Sequence, residues 1–249
     1  MFTDTHCHMF RKYYEDFGLV IDKMESNKIN RVFNNGVDGP SNREVLSYLK
    51  QYDFMYGAIG IHPEYVNAYT EEDLKFVEEH LNDDKVIAIG EIGLDYHYGK
   101  EDKDKQIKLF EYQLALAEKY NKPVIVHSRD ATQDTIECMK KYKVRGVMHS
   151  FSGSYETAQI YIKMGLLLGI NGVITFKNCN LKDIYDKIDL SNIVLETDSP
   201  YLTPVPFRGE QNNPAHVLDV AKYVAKLKGI SLEELSKVTN DNIKRCFDI

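Results

Sequence analysis

Short runs rich in apolar and β-branched residues alternate with longer amphipathic stretches along the whole 249-residue chain, and this alternation most limits what it can fold into. Candidate strands are Phe2–Thr5, Arg31–Asn34, Tyr56–Ile59, Val86–Gly90, Val124–His127, Val147–His149, Leu167–Gly169 and Ile193–Glu196. Between them the period turns helical. Over Asp102–Tyr120, Ile107, Phe110, Leu114 and Ala117 recur at three- and four-residue spacing, and Ser128–Tyr142 reads likewise. Strands joined through helices by short connections pair in parallel. Eight such units close into a (β/α)8 TIM barrel more readily than they form an open sheet. A doubly wound sheet would need a glycine-rich phosphate turn after the first strand, which the chain lacks. The expectation is one α/β barrel domain over residues 1–249, with a terminal helix Leu232–Cys246 started by the capping-box pair Ser231 and Glu234.

A hydrophobic fraction of 43% with 28% charged residues can fill such a core and excludes a disordered chain. The net charge of −7 argues against a broad basic surface for long nucleic acid, so any phosphate binding is local. Cys7, Cys138, Cys179 and Cys246 are scattered without a CxxC pair, which predicts reduced thiols and a cytoplasmic protein. The start has no signal-peptide pattern, and the apolar stretch around Met164–Ile170 is too short to span a bilayer, so no membrane partner is expected. Pro200, Pro204, Pro206 and Pro214 crowd one stretch with Gly209, predicting a stiff, functional loop after the eighth strand.

In such a barrel the C-terminal strand ends converge on one face, where enzyme sites sit. His6 and His8 end the first strand; successive strand residues point to opposite faces, so these imidazoles project together while Cys7 points away. His62 follows the third strand, Glu91 ends the fourth, His127 the fifth and His149 the sixth, and Asp198 follows the eighth. Singly, each has an ordinary reading as a satisfied core histidine or a solvated carboxylate. Together they point to metal. Nitrogen and carboxylate donors without thiolates suit catalytic zinc, magnesium, manganese, nickel or iron rather than structural zinc. The six candidate ligands His6, His8, Glu91, His127, His149 and Asp198 exceed the need of one tetrahedral ion and favour two divalent ions bridged by Glu91. Such a pair lowers the pKa of a bound water and suits hydrolysis at phosphorus.

Six blocks carry a resemblance as well: Asp4-Thr5-His6-Cys7-His8, Gly60-Ile61-His62-Pro63, Gly90-Glu91-Ile92-Gly93-Leu94-Asp95-Tyr96, His127-Ser128-Arg129-Asp130-Ala131, His149-Ser150-Phe151-Ser152-Gly153 and Glu196-Thr197-Asp198-Ser199-Pro200-Tyr201-Leu202. In content and order they resemble the signature of the TatD family, metal-dependent hydrolases of the amidohydrolase superfamily. The resemblance implies that His6, His8, Glu91 and Asp198 hold one ion and Glu91, His127 and His149 the other. It also implies that Asp198 orients or deprotonates the attacking water, that His62 and Arg208 contact the scissile phosphate, and that the activity is that of a deoxyribonuclease, typically an exonuclease, acting on DNA ends or short oligonucleotides. No obligate protein partner is expected. A guanidinium in a proline-rich loop is a planar two-point donor for phosphate, the ordinary alternative being a surface arginine.

Around this set, Asp95 and Arg129 read as residues steering the ligands, with a structural ion pair as the alternative. Lys177-Asn178 fits the family pattern, either lining the phosphate path or capping a helix. His80, after Glu78 and Glu79, is expected to be solvated, and His97, between Tyr96 and Tyr98, to shape the substrate pocket. Two departures bear on substrate. Met9-Phe10 replaces an apolar residue followed by Asp, and after Arg208-Gly209, where the family has two basic residues before Asn and Glu, this chain has Glu210-Gln211-Asn212-Asn213, which removes charge that helps hold a nucleic-acid backbone. The same metal pair could hydrolyse a carboxylic ester or amide, with D-aminoacyl-tRNA deacylation the sharpest version. A metal-binding but idle module is the third reading, against which the intact ligand set speaks.

Overall fold

The computed structural model describes every residue except Tyr98, so the part of the His97 expectation that involves Tyr98 lies outside the described residues. Among the described residues eight strands, β1 (Phe2–Cys7), β2 (Ile29–Asn35), β3 (Met55–Ile59), β4 (Val86–Asp95), β5 (Val124–Arg129), β6 (Gly146–Met148), β7 (Leu166–Ile170) and β8 (Ile193–Leu195), form one sheet in chain order. β1–β2, β3–β4, β4–β5, β5–β6 and β7–β8 pair in parallel. The last strand returns to the first: the Asp198 N–H donates to the His6 carbonyl at 2.9 Å and the His8 N–H to the Ser199 carbonyl at 2.7 Å. Chain-order parallel strands with that return are the expected (β/α)8 barrel.

The helices are α1 (Phe17–Ser26), α2 (Gly39–Gln51), α3 (Glu71–His80), α4 (Lys103–Tyr120), α5 (Thr132–Met139), α6 (Tyr155–Lys163), α7 (Lys182–Lys187), α8 (Val217–Lys228) and α9 (Leu232–Phe247). α4 follows the predicted period and stops at Asn121, which takes the left-handed conformation with φ 51°. At α9, Ser231 Oγ accepts from the Glu234 N–H at 3.1 Å, the forward half of the expected box, and such a cap contributes about 1 kcal/mol. α5 is shorter than Ser128–Tyr142 because Ser128 and Arg129 pair with Leu94 and Asp95 of β4. The strand ladder wins over the local helical period.

The chain divides into two compact units, one of Met1–Asn34, Ser150–Gln159 and Leu167–Ile249, the other of Asn35–His149 and Ile160–Leu166. In the first, Phe33 meets Phe247 edge-on at 5.0 Å, and Asn242 of α9 donates to the Leu190 and Ile193 carbonyls. Ser236 Oγ and Asn240 Nδ2, also on α9, bond the Met1 carbonyl, so the start of β1 is tied down. In the second, Ile61, Val66 and Leu109 form a buried cluster, and Gln113 both donates to the Ile61 carbonyl and accepts from its N–H, holding the chain just before His62. Each such fully buried aliphatic side chain contributes roughly 1.5–3 kcal/mol of transfer free energy.

Candidate metal centre

The six expected ligands fall into two donor groups, one in each unit. In the first unit, His6 Nε2 and His8 Nε2 lie 3.2 Å apart, and Asp198 Oδ1 is 3.7 Å from one and 3.6 Å from the other. Strand alternation produces the pair as expected: Cys7 turns to the other side, its thiol donating to the Phe33 carbonyl at 3.4 Å. Asp198 reaches them from a backbone at φ +54°, a left-handed conformation that Asp tolerates better than most residues and that tends to mark functional sites. A buried carboxylate fixes the approach. Asp4 accepts from the His6 N–H (3.2 Å), the Thr197 N–H (2.9 Å) and the Thr197 hydroxyl (2.6 Å), joining β1 to the segment that carries Asp198. Burial pushes the Asp4 carboxyl well up, partly offset by those bonds.

In the second unit, Glu91 Oε1 lies 3.1 Å from His127 Nδ1, 3.5 Å from His62 Nε2 and 3.9 Å from His149 Nε2. Glu91 does not end its strand: β4 runs on to Asp95 after a register shift between Ile89 and Ile92. Such an irregularity re-aims a side chain while the ladder continues past it. Gly93 makes the continuation possible, because at φ +148° a Cβ there would sit 1.9 Å from the His127 carbonyl oxygen. With β5 that close, Asp95 meets His127 from the other side, Oδ2 at 2.9 Å from Nε2. β5 likewise passes His127 and ends at Arg129. Burial alone would lower the His127 pKa, but the hydrogen bonds to Asp95 and Glu91 outweigh it and raise it to about 9. Burial likewise pushes Asp95 up, but bonds from His127 and the His97 N–H hold its carboxyl below the ordinary value.

Both donor groups fit a divalent cation. Two buried imidazole nitrogens 3.2 Å apart cannot both carry a proton toward each other, and a carboxylate oxygen stands beside both. Convergent lone pairs of that kind are a metal's donor set. His127, with one nitrogen on a carboxylate and the other facing Glu91, has the orientation that metal-bound histidines adopt.

The outer residues divide. His62 Nδ1 accepts from the Glu64 N–H at 3.3 Å, which assigns the neutral ring's proton to Nε2, on the Glu91 side. Arg208 is exposed; its guanidinium lies over the Phe176 ring, 4.0 Å from the centroid, and donates to the Thr203 carbonyl at 3.2 Å. Lys177 and Asn178 are exposed and cap no helix, since α7 starts at Lys182. Arg129 is exposed at the end of β5, and Asp95 touches the candidate ligand His127. His97 is exposed and pairs with Asp130 at 3.1 Å. His80 is not solvated: it is half-buried on Phe76, ring centroids 4.2 Å apart, with Nδ1 2.8 Å from the Phe76 carbonyl. The sequence reading gave no role to Asp4 or Glu196, both fully buried; Glu196 accepts from the Ser150 N–H at 2.7 Å. The signal was present for Asp4, a carboxylate inside an apolar strand two residues before His6 and so on its face.

Across residues 3–248 the chain matches the family described as TatD related DNase. The chain belongs to the TatD family. A relative in Bacillus subtilis, the uncharacterized metal-dependent hydrolase YabD, is 41% identical with 100% of both chains covered. The uncharacterized metal-dependent hydrolase YcfH of Escherichia coli is 36% identical, over 99% of this chain and 95% of its own. The crystal structure of YjjV, a TatD homolog from Escherichia coli K12, superposes with a TM-score of 0.95 at 28% identity, covering 100% of this chain and 98% of that one. This TatD protein is thus a metal-dependent hydrolase on a (β/α)8 barrel, with histidine and carboxylate groups that could hold metal. Among its described residues no helix is long and apolar enough to cross a membrane.

Proposed function

We propose that this TatD hydrolase is a deoxyribonuclease that cleaves phosphodiester bonds at DNA ends or in short oligonucleotides. His6, His8 and Asp198 would hold one divalent ion, and Glu91, His127 and His149 would hold a second. Bound ions of this kind polarise the scissile group and lower the pKa of the attacking water. Asp198 orients that water and accepts its proton, Asp95 fixes the ring of His127, and His62 offers its Nε2–H to a phosphate oxygen. Arg208 carries the phosphate part of the reading. Its guanidinium is held over Phe176 within the proline-rich loop before any substrate arrives, and a fixed planar donor suits a phosphate better than a neutral carbonyl. Among the described residues the four cysteines form no disulfide, which supports a cytoplasmic setting.

The test is to strip the protein with a chelator, reload it separately with zinc, magnesium, manganese, nickel or iron, and assay single-stranded DNA, duplex DNA, D-aminoacyl-tRNA and a neutral carboxylic ester. Metal-dependent shortening of single-stranded DNA is expected. Turnover of D-aminoacyl-tRNA or the ester with DNA left intact would replace this reading by the carbonyl one, which the acidic Glu210 beside Arg208 favours.

A further inference from the structure

Tyr201 leaves 51% of its surface in water three residues after the proposed ligand Asp198. Its position is fixed at both ends of the residue: its N–H donates to the Asp198 carbonyl at 2.9 Å, and its carbonyl accepts from Asn212 Nδ2 at 2.5 Å. The ring stands 6.5 Å from the ring of His8 and 6.0 Å from that of Tyr13, and the two tyrosine hydroxyls are 3.0 Å apart. Tyr13 is held in turn, since its carbonyl accepts from Gln211 Nε2 at 2.7 Å and its N–H donates to the Phe10 carbonyl. Lys12 places its ammonium 4.8 Å from the Tyr13 ring centroid. A strip of rings therefore leads outward from His8 through Tyr201 to Tyr13 and ends on a cation.

We infer that Tyr201, Tyr13 and Lys12 form a stacking subsite that takes an unpaired nucleobase beside the cleavage position, with Lys12 at a neighbouring phosphate. The inference rests on the nuclease reading and sharpens it to single-stranded or frayed ends. Aromatic faces with an adjacent cation are how proteins hold unpaired strands without regard to sequence. Inside a duplex a paired base has both faces covered by its neighbours and offers neither to Tyr201. The net charge of −7 also gives a long duplex little to hold. Glu210 and Gln211 stand at the two positions where the resemblance expects basic residues, and here Gln211 braces Tyr13 while its neighbour Asn212 braces Tyr201. Stacking thus replaces part of the lost charge.

The experiment measures Kd by fluorescence anisotropy on the metal-loaded protein, using a phosphorothioate-linked single-stranded oligonucleotide with purine ends and one of equal length with abasic ends. Wild type should prefer the purine ends by about tenfold, the scale of one stacked base. Tyr201→Leu should bring that ratio close to one, Tyr201→Phe should preserve it, and Tyr13→Leu should reduce it in part. Lys12→Ala should weaken both oligonucleotides alike and flatten the salt dependence. Tyr112→Leu, an equally drastic change at a tyrosine 42% exposed on α4, should change neither. A wild type indifferent to the bases, or a Tyr201→Leu protein that still discriminates, overturns the subsite whether or not DNA is cleaved. So does a Tyr201 effect seen only with an aromatic aminoacyl group on tRNA. Tyr201-dependent base discrimination in a protein that hydrolyses only esters would leave the subsite standing and remove the nuclease reading.

Discussion

His127 presents its two ring nitrogens to two carboxylates, Nε2 to Asp95 at 2.9 Å and Nδ1 to Glu91 at 3.1 Å. The first contact sets the ring's plane, so the second nitrogen is aimed at Glu91 before any cation binds. Asp95→Asn keeps the shape and removes the charge, and should weaken metal binding at the Glu91–His127 group by about 10–100-fold with little loss of thermal stability in the chelator-treated protein. Competition with a metal indicator measures it. Unchanged affinity would reduce Asp95 to a structural ion-pair partner.

Glu91→Ala should remove at least one ion per chain, read by elemental analysis, and abolish hydrolysis. Three imidazoles, from His62, His127 and His149, face this carboxylate within 3.9 Å, so its loss removes the anion that all three share. An active variant with full metal content would show that Glu91 bridges nothing.

Much of this was legible in the chain. Period-2 alternation at His6-Cys7-His8 and the order of strand-like runs led to the first donor group and the barrel without coordinates. The position of Glu91 was not legible, because an apolar run broken by Gly90 looks like a strand end, and only the cross-strand partner shows that β4 resumes at Ile92. His80 was misread for a similar reason: a charged neighbourhood in sequence hides that its ring packs on Phe76, four residues earlier on the same helix face. The aromatic strip joins Lys12 and Tyr13 to Tyr201, nearly the whole chain away, so no local pattern could mark it.

Asp219, at the start of α8, shares His216 Nδ1 (3.1 Å) and Lys222 Nζ (3.0 Å), and His216 packs on Phe207 beside Arg208. Burial pushes this carboxyl up, but the bonds to His216 and Lys222 hold it below the ordinary value. A lowered folded pKa stabilises the protein above the unfolded value of about 3.9, and that contribution fades as pH falls through the lower folded value. Asp219→Asn should therefore lower Tm at pH 7 by roughly 2–4 °C, the shift expected for about 1 kcal/mol, and the gap to wild type should close in strong acid. A gap that stays constant down to pH 2 would mean that the charge contributes nothing there.

Arg208 separates phosphate chemistry from carbonyl chemistry. Facing a phosphodiester, the guanidinium gains contacts as charge builds on the pentacoordinate transition state, so Arg208→Ala should cost about 2–4 kcal/mol in kcat/KM on an oligonucleotide. Arg208→Lys should recover only part, since an ammonium lacks the planar fork and the stacking face that meets Phe176. Phe176→Leu should give a smaller loss, on the order of the 0.5–1 kcal/mol of an exposed cation–π contact, because the arginine stays but its position is no longer held. Against a neutral ester all three changes should matter little. The measurement is the ratio of kcat/KM for an oligonucleotide to that for a neutral ester across the four proteins. A steep fall in that ratio for Arg208→Ala, with Phe176→Leu between it and wild type, is the expected result; equal losses on both substrates would mean that Arg208 supports the loop and not the phosphate.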